Sequence, residues 1–329
     1  MKVDITVFEF FLGVVVLITG VILWRNRFFH ATIPHGFAKG IEKSQPIILL
    51  AFLATLIICV IFSTSYFYKN FIADPVTPNA RDVVPLFNTT FIATSIAFFL
   101  TQLGIFYFAY KYRTKLTSKA SHIRQNSKLE LAWTLLPAFV FMFLFLWGQI
   151  LWAKITKEPS NDNVLTIDIV GQQFSWLAHY SGGDKKIGTT DFRFMDNVND
   201  IGLDVTDPNS QDDFIPIQMH IPKGRPIKLL LRSKDVIHSF YVPYFGVKMD
   251  AVPGMITTLN FTVDVTTKQM QEKLKDPDFD YEVACAELCG RMHFAMKLII
   301  VVDEPEEFEA WSRQQPSWIS HYKNNEYLP

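Results

Sequence analysis

Apolar residues are bunched along this chain rather than spread. Four long hydrophobic runs come first, at 5–24, 46–67, 88–110 and 131–153. Each has about 20 residues or slightly more, enough at about 1.5 Å per residue to cross a hydrocarbon core of about 30 Å. Buried helices of a soluble protein carry similar runs, but four in succession argue for membrane spans. The first run is a poor signal peptide. Asp4 and Glu9 stand where positive charge is wanted, and no small-residue cleavage site follows.

The texture changes after Lys154 to period-two alternation rich in β-branched residues. Segments 164–180, 217–221, 226–232, 257–265, 281–284 and 296–302 read as strands. Short strands without intervening helices predict a β-sandwich or barrel. Between them, 182–213 reads as an inserted, solvated loop rich in Asp, from Asp184, Asp191, Asp196 and Asp200 to Asp204, Asp207, Asp212 and Asp213. Such a charge run can also steer a basic partner at long range. Phe308 and Trp311 fall in a short helix expected to cap the β-domain.

Charge then orients the chain. The first connection carries Arg25, Arg27, Lys39 and Lys43, and the third carries Lys111, Arg113, Lys115, Lys119, Arg124 and Lys128. The second has only Lys69 and Arg81, offset by Asp74 and Asp82. The positive-inside rule places the first and third connections in the cytoplasm, so both termini and the β-domain lie outside. The net formal charge of -1 gives no support for nucleic-acid binding. With three cysteines, one of them (Cys59) in a hydrophobic run, there is no disulfide framework, and no Cys-x-x-Cys-His for a c-type haem.

The candidate chemistry is concentrated in 281–296, Tyr-Glu-Val-Ala-Cys-Ala-Glu-Leu-Cys-Gly-Arg-Met-His-Phe-Ala-Met. It supplies Cys285, Cys289, His293 and Met296, and His238 in Asp-Val-Ile-His-Ser-Phe lies upstream. A His, Cys, His set with a weak Met is the ligand list of a blue-copper site. Cys285 is one thiolate too many for a single such copper, whereas two thiolates can bridge two copper ions with a histidine capping each. A disulfide between cysteines so close strains the bridge and leaves His293 and Met296 unexplained. Structural zinc seldom recruits Met.

Cys-x-Glu-x-Cys-Gly-x-x-His-x-x-Met preceded by Asp-Val-x-His-Ser-Phe resembles the copper A loop of subunit II of haem–copper cytochrome c oxidases. The resemblance implies copper ligation by His238, Cys285, Cys289, His293 and Met296 and by the backbone carbonyl of Glu287. It also implies a magnesium or manganese ion shared with subunit I, held by the Glu287 side chain. It covers roughly 88–311 and implies a cupredoxin-like β-barrel on a two-helix anchor. It places the anchor at 88–154 and the copper domain at 155–311, leaving an N-terminal extension with two additional helices (1–87) and a tail (312–329) that it does not cover. The start of the fourth run, Ser-Lys-Leu-Glu-Leu-Ala-Trp, is similar to the family's second membrane helix, whose glutamate lies at a proton-channel mouth. Glu130 takes that position, although Ser127 and Glu130 also have the spacing of a helix capping box.

Gly171-Gln172-Gln173-Phe174-Ser175-Trp176 resembles the family's electron-entry segment, with Phe174 where the first tryptophan stands and Trp176 kept. Met255, after Pro253-Gly254, stands where the family commonly has Arg. The implied function is electron transfer from a cytochrome, free or co-assembled in a supercomplex, to the haems of subunit I. Other oxidase subunits and membrane lipid are the further expected partners, and a bacterial inner membrane the expected location. The alternatives are the copper A subunit of a nitric oxide reductase and a membrane-tethered copper-binding protein. A quinol oxidase subunit would lack the copper ligands.

Overall fold

The second, third and fourth apolar runs each form one long helix in the computed structural model, which describes residues 35–71, 73–113, 125–159, 163–196 and 198–320. The first run, 5–24, lies outside the described residues. Helix α1 spans His35–Phe71, α2 Pro78–Lys111 and α3 Ser127–Ile155. Among the described residues these three helices are long and apolar enough to cross a membrane. They are hydrophobic around the whole circumference, as lipid or partner helices require, with Leu136, Phe139 and Ile150 each 70% exposed. Helix α1 starts well before the apolar run at 46, because its first turns are polar and carry no hydrophobic signal.

Capping residues define where two of these helices start. Thr77 precedes Pro78, whose fixed φ suits a first helical position, and Thr77 Oγ1 accepts the Ala80 N–H at 3.0 Å. At α3 the cap is Asn126, not Ser127. Its Oδ1 accepts the Leu129 N–H at 3.2 Å, and Glu130 Oε1 accepts the Asn126 N–H at 3.4 Å. The expected capping box is therefore displaced by one residue. Asn at this position closes the first turn better than the serine after it, whose own backbone is already helical.

The segment between α1 and α2 is fastened to the β-domain. The Val76 N–H donates to Tyr244 O at 3.2 Å, and the Asp264 N–H donates to Val76 O at 3.0 Å. Thr77 Oγ1 donates to Phe245 O at 2.7 Å, and Asn79 Nδ2 to Asn260 O at 3.0 Å. Arg81 pairs with Asp264 and Lys154 with Asp82. The second connection and the β-domain thus lie on one side of the membrane, the arrangement the loop charges demand.

Among the described residues nine strands form two packed sheets. The first holds β1 (Leu165–Gln172), β2 (Ser175–Tyr180), β4 (Ile227–Ser233) and β7 (Thr257–Phe261), in the order β2-β1-β4-β7. The second holds β3 (Met219–Pro222), β5 (His238–Val242), β6 (Val247–Ala251), β8 (Tyr281–Cys285) and β9 (Lys297–Asp303), in the order β3-β9-β8-β5-β6. Segment 164–180 is a hairpin rather than one strand, turning at Gln173 and Phe174. The sequence reading missed β5 and β6 and a helix, α4 (Thr267–Leu274), that starts with a Thr266/Gln269 capping box. Strand β5 lies inside the ligand motif and β6 follows the turn at Pro243–Phe245, and those stronger local signals hide their alternation.

Ile167, Ile169, Leu229, Leu231, Phe240, Tyr281, Val283 and Ile300 fill the space between the sheets. Strand β1 is buried on its other face as well. There Val170 packs with Ile201, Leu203, Trp318 and Ile319, so the Asp-rich insertion and the end of the described tail cover the sheet. Most of the aspartates build that cover. Asp191 bonds Arg193, Asp204 Thr206 and Asp207 Asn209, while Asp196 accepts the N–H groups of Val198 and Asn199. The Arg193 side chain beside Asp191 holds its carboxyl down at about 2. Asp213 is fully buried and accepts from the Gly188 N–H at 2.8 Å. The run is therefore organised structure, where a solvated loop was expected. Helix α5 (Pro305–Ser312) caps the sandwich as expected, burying Phe308 and stacking Trp311 on His220 at 4.2 Å.

Candidate metal centre

Strand pairing brings the scattered candidate ligands together. Phe240 of β5 faces Cys285 at the end of β8, so His238 lies beside that cysteine across the sheet end. The Ala286 N–H donates to Ser239 O at 2.9 Å and fastens the exit of β8. The chain then leaves the sheet, exposes Ala286, Glu287 and Leu288, and dips inward at Cys289. A 3-10 turn over His293–Ala295 reverses it, and Met296 O accepts the Cys285 N–H at 3.2 Å. The reversal turns both His293 and Met296 toward Cys289.

The resulting order of contacts has two ends. The Sγ atoms of Cys285 and Cys289 lie 3.8 Å apart, and both cysteines are free. His238 Nδ1 is 3.9 Å from Cys285 Sγ. His293 Nδ1 is 3.7 Å and Met296 Sδ 3.8 Å from Cys289 Sγ. The carbonyl oxygen of Glu287 is 3.2 Å from Cys285 Sγ, while its side chain is exposed. His238, Cys285 and Cys289 are buried and present their donor atoms within 4.8 Å of one another. Burial and the neighbouring Cys285 thiol push the Cys289 thiol up to about 11. Thiols so close in an apolar place ionise when a cation compensates them, so binding of a metal ion here would release protons.

Asp235 is a further candidate residue that the sequence reading did not single out, although it opens the Asp-Val-Ile-His motif. Its Oδ1 lies 2.7 Å from His238 Nε2. With the proton on Nε2, Nδ1 presents its lone pair toward the sulfurs, the carboxylate–histidine–metal arrangement that fixes a ligand's tautomer and ring plane. Burial opposes the Asp235 charge, but hydrogen bonds from His238, the Gln173 N–H and the Val236 N–H outweigh it and hold the carboxyl below its ordinary range. Gly171 completes the pocket, because a Cβ there would come within 2.9 Å of the Trp176 ring and 3.1 Å of the His238 ring.

Trp176 and Phe174 are placed differently from each other. Trp176 is buried, edge-on to His238 at 5.7 Å and to Phe240 at 5.5 Å between ring centres. It packs beneath the site and has no free face for a partner. Phe174 is only partly buried and lies against Gly290, next to Cys289. Glu130 belongs to the first turn of α3, in the helical part of the chain. Met255 is exposed.

Comparison with known proteins places the chain in a family. The family described as cytochrome C oxidase subunit II, periplasmic domain, matches residues 165–303. Its companion, the transmembrane domain of the same subunit, matches 65–148. The alternative cytochrome c oxidase subunit 2 of Bradyrhizobium diazoefficiens is 32% identical over 246 residues, covering 74% of this chain and 84% of the relative. Cytochrome c oxidase subunit 2 of Thermostichus vulcanus is 29% identical over 267 residues, 71% of this chain and 76% of that one. Among solved structures, the periplasmic domain of cytochrome oxidase subunit II of Bradyrhizobium japonicum is 27% identical and covers 48% of this chain and 95% of that one, with a TM-score of 0.33. The ligand motif, the membrane helices and the 32% identity to the Bradyrhizobium diazoefficiens subunit over 84% of its length make this chain a member of the cytochrome c oxidase subunit II family.

Proposed function

We propose that this chain is the electron-entry subunit of a respiratory cytochrome c oxidase, with a binuclear copper A centre in a cupredoxin-like domain. The two-ended ligand order carries the reading: two thiols side by side, His238 at one end, His293 and Met296 at the other. A single zinc needs four ligands around one point, whereas this order suits two metals bridged by both sulfurs. Two copper ions so bridged would share one unpaired electron. These residues would hold such a pair: Asp235 orients His238, Trp176 shields it from below, and the Glu287 carbonyl and Met296 thioether would serve as weak further ligands. The copper content and near-infrared spectrum of the purified chain test this, and zinc alone would overturn it.

The exposed Glu287 carboxylate is suited to a magnesium or manganese ion shared with subunit I. Residues 1–87 form the extension, 88–154 the two-helix anchor, 155–311 the copper domain and 312–329 the tail. The location is a bacterial inner membrane, with both termini and the copper domain on the outer side. Subunit I accepts the electrons and uses them for oxygen reduction and proton pumping. Glu130 is assigned to proton entry. Glu130→Gln keeps a side chain able to reach the Asn126 backbone, so slower oxygen turnover with unchanged copper reduction is expected in stopped-flow traces. Normal turnover would leave Glu130 only its place at the helix start.

Electrons enter over Phe174, because Trp176 is covered. Phe has no indole N–H to fix a docked pose, and the insertion's aspartates are tied into turns. Steering by their charge accelerates encounter by about ten-fold or more at low salt without orienting the partner. The natural donor is therefore a tethered or co-assembled cytochrome, for which effective concentration replaces capture from solution. Oxygen uptake by the isolated oxidase with added soluble cytochrome c should be slow beside uptake by the intact assembly. Fast, salt-sensitive turnover with soluble cytochrome c would exclude the requirement.

A further inference from the structure

Gln173 bonds to both halves of the metal centre. It stands in the turn between β1 and β2. Its backbone N–H donates to Asp235 Oδ2 at 2.7 Å, and the other oxygen of that carboxylate holds His238. Its side-chain Nε2 donates to the backbone carbonyl of Cys289 at 2.6 Å. One residue thus links the first histidine, through Asp235, to the second cysteine, from outside both ligand segments.

The metal loop depends on such a link. Between Ala286 and Met292 every residue but Cys289 is exposed, so no packed side chain other than the cysteine draws this stretch inward. No strand pairing covers it either. The chain accommodates the link closely: a Cβ on Gly290 would stand 2.9 Å from Gln173 Nε2 and 3.0 Å from the Phe174 ring. Gly290 also has φ +142, which an L side chain rarely adopts. The absent side chain lets the hairpin turn lie directly on the loop, where the amide reaches the carbonyl and the ring covers the glycine.

We propose that Gln173 is a positioning residue for the metal centre: its amide pins the Cys289 carbonyl and so sets the spacing of the two sulfurs relative to His238. This rests on the copper reading given above. Gln173 touches neither donor atoms nor metal, and it acts through the Cys289 backbone and Asp235. Loss of the pin leaves the loop to water, which competes for the freed carbonyl, and the sulfur pair loses its fixed separation.

The experiment uses the purified, copper-loaded oxidase with Gln173→Glu, Gln173→Ala and Gln172→Glu. Gln173→Glu keeps the size but turns an acceptor toward the carbonyl, and Gln173→Ala removes the donor without adding charge. Gln172 bonds Ser175 and Asp200 and not the metal loop, so Gln172→Glu puts the same charge one residue away. Both Gln173 variants should lose copper to a chelator about ten-fold faster than wild type, the scale of outer-shell changes at metal sites. Their copper hyperfine pattern in electron paramagnetic resonance should change, while Gln172→Glu keeps both properties. Gln173 variants that match wild type in both overturn the inference. So does a charge effect alone, with Gln172→Glu altered as much as Gln173→Glu and Gln173→Ala unaltered. A Gln173→Ala chain whose copper-free β-domain already melts well below wild type marks a general folding contact and overturns it too. Wild type without paired copper overturns the copper reading and the inference with it. Wild type with paired copper and indifferent variants overturns the inference alone.

Discussion

Cys285→Ser should hold at most one copper per chain and lose more than about a hundred-fold in steady-state turnover, because outer-shell changes alone already cost 10–100-fold. Serine nearly matches the shape of cysteine, and position 285 closes β8 opposite Phe240, so the sandwich folds as before. The sulfur does not survive the change. The site places two sulfurs 3.8 Å apart between two histidines, and only a soft thiolate bridges two copper ions there. A serine oxygen keeps its proton and leaves His238 without a sulfur beside it. Elemental analysis should fall from two copper ions per wild-type chain to one or none, with loss of the shared-electron spectrum. Two coppers retained with an unchanged spectrum would mean that Cys285 is not a bridge.

His179→Ala should destabilise the β-domain by about 3–5 kcal/mol, the scale for removing one partner of a buried charged group. His179 is fully buried between Asp213, 2.7 Å from its Nε2, and Asp168, 3.4 Å from its Nδ1. Arg232 pairs with Asp168 from the neighbouring strand. Burial disfavours the imidazolium, but the hydrogen bonds to Asp168 and Asp213 outweigh it and hold the histidine above its ordinary value. For Asp168 burial is likewise outweighed, by His179 and Arg232, and its carboxyl stays below the ordinary range.

The sign of the pH dependence follows. The His179 contribution is fully present below its unfolded value of about 6.5 and is lost as pH rises through the higher folded one. The Asp168 contribution is present above its unfolded value of about 3.9 and is lost as pH falls through the lower folded one. Denaturant melts should therefore show the gap between wild type and His179→Ala narrowing as pH rises above about 6.5. A gap that stays flat through the alkaline range would mean a neutral histidine held by packing. The cluster also fastens the insertion, since Asp213 O accepts the Trp318 N–H at 2.7 Å. The variant should expose 182–213 to protease sooner than the strands.

The sequence alone determined the features that depend on residue type and local spacing. Long apolar runs had to become long helices, because the hydrocarbon core tolerates no unpaired backbone. The basic third connection set the orientation. Cys285, Cys289, His293 and Met296 were legible as candidate ligands because they share one loop, where separation in sequence is close to separation in space.

Tertiary structure decided the rest. Asp235 lies three residues from His238, a spacing many surface aspartates share, and only the ring orientation set by β5 makes it a partner. Gln173 lies 116 residues from Cys289, and no local pattern announces a contact that the β1–β2 turn creates. Phe174 and Trp176 are aromatic residues two apart in the chain, yet Phe174 falls in the β1–β2 turn over Gly290 while Trp176, inside β2, is buried under His238. The aspartates of 182–213 read as solvated charge, but turns and a buried histidine claim them once β1 needs a cover on its outer face. For Gln173, Trp176 and Asp213 the deciding interaction joins segments far apart in the chain, and its energy exists only after the sheets have brought them together.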